Sequence, residues 1–342
     1  FLDVPDHAAV DLAVRQLHED PRAARYVSLG NALLRRLARE RDAVLAEAAD
    51  PFLDTPDWLA DSWRDAYGEK TAAAIALSHR EEPPLDITVK QDAQLWAERL
   101  GGLLLPTGSI RLRERDSITA LPGFAEGAWW VQDAAAALPV KLLAPQPGER
   151  VADLCAAPGG KTAQIAATGA AVTAVDRSAP RLRRLRANLD RLGLAAEIVA
   201  ADVARWQAEP FDAVLLDAPC SATGTIRRHP DVAWTKLPED REKLVALQAR
   251  LLDAAANLTR PGGRLVYCTC SLEREEGEAQ IAAFLQRRPD FARRPVLAEE
   301  IGGIGEAIDA QGDLRTLPHQ LRFETSRLSG WAGFYASRLI RL

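Results

Sequence analysis

The sequence predicts an α/β protein built on a mostly parallel sheet, preceded by a helical start and a small mixed connector. Three observations carry this expectation. From about Pro147 onward, short apolar runs alternate with segments of helical period, the pattern of a parallel sheet with crossover helices. The first of these runs ends in Pro158-Gly159-Gly160 and passes into a helical stretch. Three acids, Asp176, Asp202 and Asp217, close successive apolar runs and would line one edge of the sheet.

Taken in order, residues 8–17 and 27–45 carry apolar positions at helical spacing in Ala-, Leu- and Arg-rich sequence, which predicts helices. Asp20-Pro21 and Asp50-Pro51 punctuate them. A further helix is expected over 58–67, with Asp57 as its N-cap after Pro56. Trp58 and Trp63 on it read as core packing rather than a base-stacking platform. After Glu81-Glu82-Pro83-Pro84 the texture changes. Short strands are expected at 86–89 and 109–112 around a helix over 91–100, with turns at Gly101-Gly102 and Pro122-Gly123. The alternating region predicts strands at 151–154, 172–175, 198–200, 213–216, 265–267 and 333–340. Helices are expected over 161–167, 179–192, 239–258 and 275–287, and Pro261-Gly262-Gly263 reads as a tight turn into the fifth strand. No internal repeat is visible. The expected domains are 1–50, 51–145 and 146–342.

The 342 residues suffice for two or three domains. A composition of 47% hydrophobic and 27% charged residues is that of a globular chain. No apolar run is long enough to span a bilayer, and Phe1-Leu2-Asp3-Val4-Pro5 lacks the pattern of a secretion signal. A cytoplasmic protein with reduced thiols and no membrane partner is therefore expected. There is no Met in the sequence, and an incomplete N-terminal region is expected.

The net charge of −5 gives no global signature of nucleic-acid binding, but local basic stripes can suffice. Arg181, Arg183, Arg184, Arg186 and Arg191 read mainly as the solvated face of a helix whose other side carries Leu182, Leu185, Leu189 and Leu192. Arg227-Arg228-His229 directly follows a cysteine motif, where a phosphate-contacting role is more plausible.

The chemistry concentrates at the ends of the predicted strands. Asp153 to Thr162 joins a strand to a helix through glycines that allow close backbone approach to a ligand, and the helix offers free N–H groups. The pattern is neither the dinucleotide G-x-G-x-x-G nor a P-loop, which argues against NAD and nucleoside triphosphates. Asp176 is placed to accept from ribose hydroxyls, and Asp202 from an adenine amino group while Val203 packs on the ring. Two further strands end in Asp217-Ala-Pro-Cys220 and Cys268-Thr269-Cys270-Ser271. Cys268 reads as buried packing. The four cysteines lack paired C-x-x-C spacing, so no metal is expected. Two separated cysteines at strand ends suggest covalent chemistry on a base, one attacking and one helping release. Spacing leaves open which does which.

At these residues the chain resembles a known family. Leu154-Cys155-Ala156-Ala157-Pro158-Gly159-Gly160-Lys161-Thr162, Leu215-Leu216-Asp217-Ala-Pro-Cys-Ser-Ala-Thr-Gly224 and Tyr267-Cys268-Thr269-Cys270-Ser271 look like the Sun-type RNA 5-methylcytosine methyltransferases. Leu121-Pro-Gly-Phe124, Val131-Gln-Asp-Ala134, Ile226-Arg-Arg-His-Pro-Asp231 and Leu314-Arg-Thr-Leu-Pro318 resemble the bacterial RsmB-like branch, which acts on 16S (small-subunit) ribosomal RNA. The resemblance runs from about residue 85 to the end.

It implies a Rossmann-like, seven-stranded S-adenosylmethionine-dependent methyltransferase domain at 146–342 and an RNA-binding connector at 51–145. Gly30 to Arg36 resembles the last helices of a NusB-like RNA-binding domain, so 1–50 is expected to be a remnant of one. The resemblance further implies Cys270 as the attacking thiolate and Cys220 as the group assisting release. Asp217 would contact the cytosine edge. Residues 155–161 with Asp176, Asp202 and Asp217 would hold S-adenosylmethionine, and Lys161, Arg227, Arg228 and His229 would lie against RNA. A monomer with ribosomal RNA as partner is expected. Two alternatives stay open: a 5-methylcytosine methyltransferase acting on transfer RNA, and a non-catalytic RNA-binding ribosome-assembly factor. A nicotinamide dehydrogenase is disfavoured by the missing glycine pattern.

Overall fold

The computed structural model describes residues 4–114 and 117–342. Residues 1–3, the first of the segment read above for a secretion signal, lie outside them. Helices α1 (Asp6–Glu19), α2 (Val27–Arg39) and α3 (Arg41–Glu47) form the helical start. The single helix expected over 27–45 is interrupted at Glu40, whose backbone (φ −101°, ψ 13°) leaves the helical region. Neither α1 nor α2 buries a residue, and Leu29, Leu33 and Leu37 stay exposed.

Helices α4 (Asp57–Tyr67) and α5 (Glu69–His79) turn back on each other through Gly68 at φ +78°. Leu59, Trp63 and Ile75 of this hairpin share a core with Ile226, Leu272 and Leu317, so the pair is fused to the region that follows. Trp63 is a core residue, as expected, and its indole N–H donates to the Glu273 carboxylate at 3.1 Å.

The connector contains β1 (Leu85–Val89), α6 (Ala93–Arg99), β2 (Leu103–Leu104), β3 (Ile110–Leu112) and β4 (Trp129–Val131). The strands pair antiparallel in the order β2-β3-β1-β4. Asp86 lies opposite Arg111 in the β1–β3 register, both side chains fully buried, and their paired contacts are 2.7 and 2.9 Å. The same carboxylate accepts from Ala134 N at 3.1 Å, at the start of α7 (Ala134–Leu143), and Arg111 donates to Leu328 O at 2.6 Å. One buried pair thus ties the small sheet to the helix that follows and to the C-terminal region.

The large sheet is made by β5 (Arg150–Leu154), β6 (Ala171–Asp176), β7 (Glu197–Ala200), β8 (Phe211–Asp217), β9 (Thr259–Thr269), β10 (Phe291–Arg293), β11 (Leu314–Thr316) and β12 (Phe334–Arg341). Its order is β10-β12-β9-β8-β5-β6-β7, with β11 pairing on β12. Strands β5 to β9 run parallel, and β12 pairs antiparallel with each of β9, β10 and β11, so the expected mostly parallel α/β sheet is found. Helices α8 (Gly160–Ala167), α9 (Ala179–Leu192), α10 (Val232–Thr235), α11 (Pro238–Leu258) and α12 (Glu278–Arg287) complete it. Leu182, Leu185, Leu189 and Leu192 are buried along α9, and its arginines occupy the other face. Helix α7, absent from the sequence-based expectation, packs Leu138, Leu142 and Leu143 into the core under β5, β8 and β9.

One turn is corrected. Pro261-Gly262-Gly263 does not precede the fifth strand but bulges within it. Strand β9 advances from Thr259 to Arg264 while its partner β8 advances only from Phe211 to Ala213. Gly262 at φ +73° accommodates the loop-out.

The chain leaves β5 for β6 on one side and reaches β8 on the other. Such a reversal opens a crevice at the carboxyl ends of the strands, where ligands bind in sheets of this kind. Removing one partner of the buried pair leaves an uncompensated charge. Asp86→Asn is therefore expected to lower unfolding stability by about 3–5 kcal/mol, measured by urea unfolding. An Asp86→Leu/Arg111→Met double variant should recover part of the loss.

Candidate active site

The loop after β5 is shaped by its backbone. Cys155 sits at φ +60° and Gly159 at φ +103°. A Cβ on Gly159 would meet the Leu185 side chain at 2.8 Å, so both conformation and space favour glycine there. Thr162 in the first turn of α8 donates to Asp153 at 2.5 Å and closes the loop from beneath. Asp176, at the end of β6, accepts from Ala157 N at 3.2 Å and Ser178 N at 2.8 Å, and Arg181 donates to Ala157 O. The carboxyl edge of β6 therefore holds Ala157 in the glycine turn.

A cavity opens beside this loop, lined by Cys155, Asp176, Arg181, Asp202, Val203 and Pro219 among others. Its donor set fits the expected S-adenosylmethionine. Asp176 and Asp202 offer carboxylates suited to ribose hydroxyls and an adenine amino group, buried Val203 offers an apolar wall, and α8 offers an N-terminus. The structure brings the expected cofactor residues 155–161, Asp176 and Asp202 to one edge of the sheet.

A second cavity of about 280 Å³ is lined by the next residues of the same loop. Ala156, Pro158, Gly160, Lys161, Asp217 and Cys270 line it, faced by Pro83, Pro84, Gln132, Arg228, His229 and Trp331. Within it, Lys161 Nζ contacts Asp217 at 2.9 Å and lies 5.0 Å from the centre of the Phe334 ring. Asp217 also accepts from the Cys268 thiol at 3.5 Å. Cys220 Sγ and Cys270 Sγ are 3.5 Å apart. Cys270 faces the cavity, whereas Cys220 lies behind it and is not among the lining residues.

The electrostatics separate the groups. Burial first, then Asp217 and Asp176, push the Cys155 thiol up to about 12. The Cys220 thiol is raised by its hydrogen bond to Cys270 and next by burial. Burial and Asp217 raise Cys268, which is fully enclosed in the core, as expected. Burial works against the Lys161 ammonium, but its ion pair with Asp217 outweighs it, so Lys161 holds its proton more tightly than an ordinary lysine. Lys161 is thus a fixed cation against Asp217.

The three basic residues after Cys220 part company. Arg227 is 5% exposed in its side chain and donates to Glu81, Glu82 O and Ser329 O. Its guanidinium is turned inward, where it cross-links loops of the cavity wall. Arg228 contacts Asp133 at 2.9 Å and stays partly exposed, while His229 lies at the cavity.

Sequence reasoning missed several residues here. Asp133 accepts from Ala135 N, Ala332 N and Arg228 at 2.9, 3.2 and 2.9 Å. Phe334 lies under Lys161. Glu276 accepts from the loops that carry Cys220 and Cys270. Glu276 sits in the run Glu273-Arg-Glu-Glu-Gly-Glu278, where no local signal sets it apart. Asp133 stands before an apolar helix, which at least marks it as a cap.

Comparison with known proteins gives a consistent picture. The family described as "16S rRNA methyltransferase RsmB/F" matches residues 140–338. A ribosomal RNA small subunit methyltransferase B from Vibrio cholerae is 39% identical over 309 residues, covering 85% of this chain and 71% of that protein. The protein of the same name from Salmonella arizonae is 42% identical over 311 residues, covering 85% and 72%. Among solved structures, a methyltransferase homolog protein from Pyrococcus horikoshii is 29% identical with a TM-score of 0.70, covering 86% of this chain and 98% of that one. NSun6 from Pyrococcus horikoshii, solved with SFG, is 20% identical with a TM-score of 0.72, covering 85% and 99%. That last likeness speaks for the fold alone.

Asp153 gives a pH signature. Burial raises its pKa to about 7, with Thr162 working in the opposite direction. An acid raised on folding stabilises the fold fully below its unfolded value, and that contribution is lost as pH rises through the folded value. The native protein is therefore expected to lose stability between about pH 4 and pH 7 from this group. Asp153→Asn should show a flatter profile over that window in thermal melts at a series of pH values.

Proposed function

The chain belongs to the RsmB/F family of 16S ribosomal RNA methyltransferases, and on that premise we propose that it methylates carbon-5 of a cytosine through a covalent adduct with Cys270. The family uses S-adenosylmethionine, which supplies an activated methyl group when bound. Residues 155–161, Asp176 and Asp202 would hold it, with Asp217 reaching it from the wall of the larger cavity. The observation that carries the cysteine roles is the placement of Cys270 at the substrate cavity with Cys220 3.5 Å behind it.

The chemistry follows from those positions. Carbon-5 of cytosine is a poor nucleophile. Addition of the Cys270 thiolate to carbon-6 converts the ring to an enamine able to accept a methyl group at carbon-5. The base must leave its stack to reach this depth. Asp217, fixed by Lys161, would accept from a proton on ring nitrogen 3, so that the charge developing there as the thiolate adds is neutralised. Loss of the carbon-5 proton and cleavage of the carbon-6–sulfur bond then free the product. Cys220, outside the cavity lining yet 3.5 Å from Cys270, is less well placed for the first attack and near enough to assist that second stage.

In this reading Arg228 and His229 flank the entering RNA and Arg227 shapes the wall behind them. Residues 1–50 and 51–145 add RNA-binding surface, the catalytic unit spans 146–342, and the enzyme acts as a monomer. A non-catalytic RNA-binding factor would have no use for two thiols in contact beside a cavity.

The roles are tested by single substitutions assayed on unmodified small-subunit ribosomal RNA with labelled S-adenosylmethionine. Cys270→Ala is expected to abolish transfer. Cys220→Ala is expected to accumulate a covalent protein–RNA adduct, seen as a shifted band on a denaturing gel. An adduct with Cys270→Ala and none with Cys220→Ala would reverse the assignment. Full transfer by both variants would remove the covalent mechanism. A parallel assay on transfer RNA reads out the competing substrate.

A further inference from the structure

Glu276 lies below the two cysteine loops, fully buried, as are Ser271 and Gln248. It receives hydrogen bonds from both loops. From the first, Ser221 N donates at 2.9 Å to one carboxylate oxygen, and Ser221 Oγ donates to the other. From the second, Ser271 Oγ donates at 2.6 Å. Gln248 on α11 donates at 2.9 Å and bonds Pro219 O at the same distance. Four donors therefore meet one carboxylate, which has about four lone-pair directions to offer. Ser221 directly follows Cys220, and Ser271 directly follows Cys270. The backbone of Glu276 is itself anchored, since Tyr267 Oη donates to its carbonyl at 2.8 Å.

We infer that Glu276 is a positioning residue that sets the spacing of the Cys220 and Cys270 thiols by binding the residue after each cysteine. A buried carboxylate costs desolvation unless its donors are all in place. A shift of either loop would withdraw at least one donor from a carboxylate that has no exposure to bulk solvent. The carboxylate thus opposes movement of one loop relative to the other, and the 3.5 Å sulfur separation follows. Gly224 N, donating to Cys270 O at 3.0 Å, joins the same two loops from the other side. The inference rests on the proposed division of labour only for its kinetic consequences. The spacing itself is a separate observable.

The test has two readouts. The first is the affinity of the folded enzyme for phenylarsine oxide, which bridges two neighbouring thiols. Cys220→Ala and Cys270→Ala serve as controls that identify the bridged pair. Glu276→Gln keeps the size of the side chain while converting one acceptor into a donor, and should weaken arsenical binding about tenfold or more. The second readout is methyl transfer. Glu276→Gln should lower kcat by about a hundredfold, the scale of a 1 Å misplacement, with KM for S-adenosylmethionine and for RNA within about twofold.

Ser221→Ala and Ser271→Ala remove one donor each and cover the case in which Glu276→Gln does not fold. Ser221→Ala should favour accumulation of the protein–RNA adduct, and Ser271→Ala should slow its formation. Unchanged arsenical affinity in a folded Glu276→Gln, or in both serine variants, would overturn the inference. So would an equal rise in KM with kcat preserved. If Cys220→Ala itself accumulates no adduct, the cysteine roles fail, while the arsenical measurement still decides the positioning role.

Discussion

The site depends on the register of two neighbouring parallel strands. Leu216 lies opposite Tyr267, and Asp217 opposite Cys268. Pairing continues one step past β8, where Ala218 N donates to Cys268 O at 2.9 Å. Both loops leave the sheet at the same edge and level. The cysteine three residues beyond Asp217 and the cysteine two residues beyond Cys268 can then meet. A slip of two residues would displace one loop by about 6–7 Å and part the thiols. The bulge at Pro261-Gly262-Gly263 therefore matters far from its own position. It takes up the extra residues of β9 at the opposite end, so that the segment from Arg264 onward runs in step with β8.

Around this frame the connector acts as one wall of the cavity. Asp133 holds three parts of it together, capping α7 through Ala135, receiving the C-terminal segment through Ala332 and pairing with Arg228. Arg191 makes a second link, from α9 to the carbonyls of Phe124 and Trp129. One arginine of the stripe on α9 thus fastens the small sheet to the large one, although its sequence neighbours suggest only a solvated face. Such cross-links fix the distance between the cofactor loop and the wall that faces it, and binding geometry of this kind governs rate more than affinity does.

Much of this was legible along the chain. The parallel strands announced themselves because strands buried on both faces read as short apolar runs, and Asp153, Asp176, Asp202 and Asp217 stood at their ends. Helix α7 escaped because Ala-Ala-Ala-Ala-Leu-Pro-Val-Lys-Leu-Leu is apolar nearly all round and contains a proline, so no period marks it. Helix α5 is similarly weak in period. Strands β10 and β11 are three residues each and owe their existence to pairing with β12. The site was legible to the level of which residues gather, not which face each other. The bond between Cys268 and Asp217, the ring of Phe334 beneath Lys161 and the inward turn of Arg227 are all contacts between distant segments. No local pattern carries them.

Strand β12 has one more consequence. It pairs with β9 inside the sheet, with β10 on its other side and β11 along it. Its first residue supplies the ring under Lys161, and Gly333 just before it donates to Gly224 O at 2.8 Å, packed so closely that a Cβ on Gly224 would lie 1.9 Å from Gly333 O. These residues are made after every other part of the site. Until they are in place, the larger cavity lacks the part of its wall that Phe334 supplies. Long-range pairing of this kind is slow to form, so the larger cavity is expected to be among the last features that the fold completes.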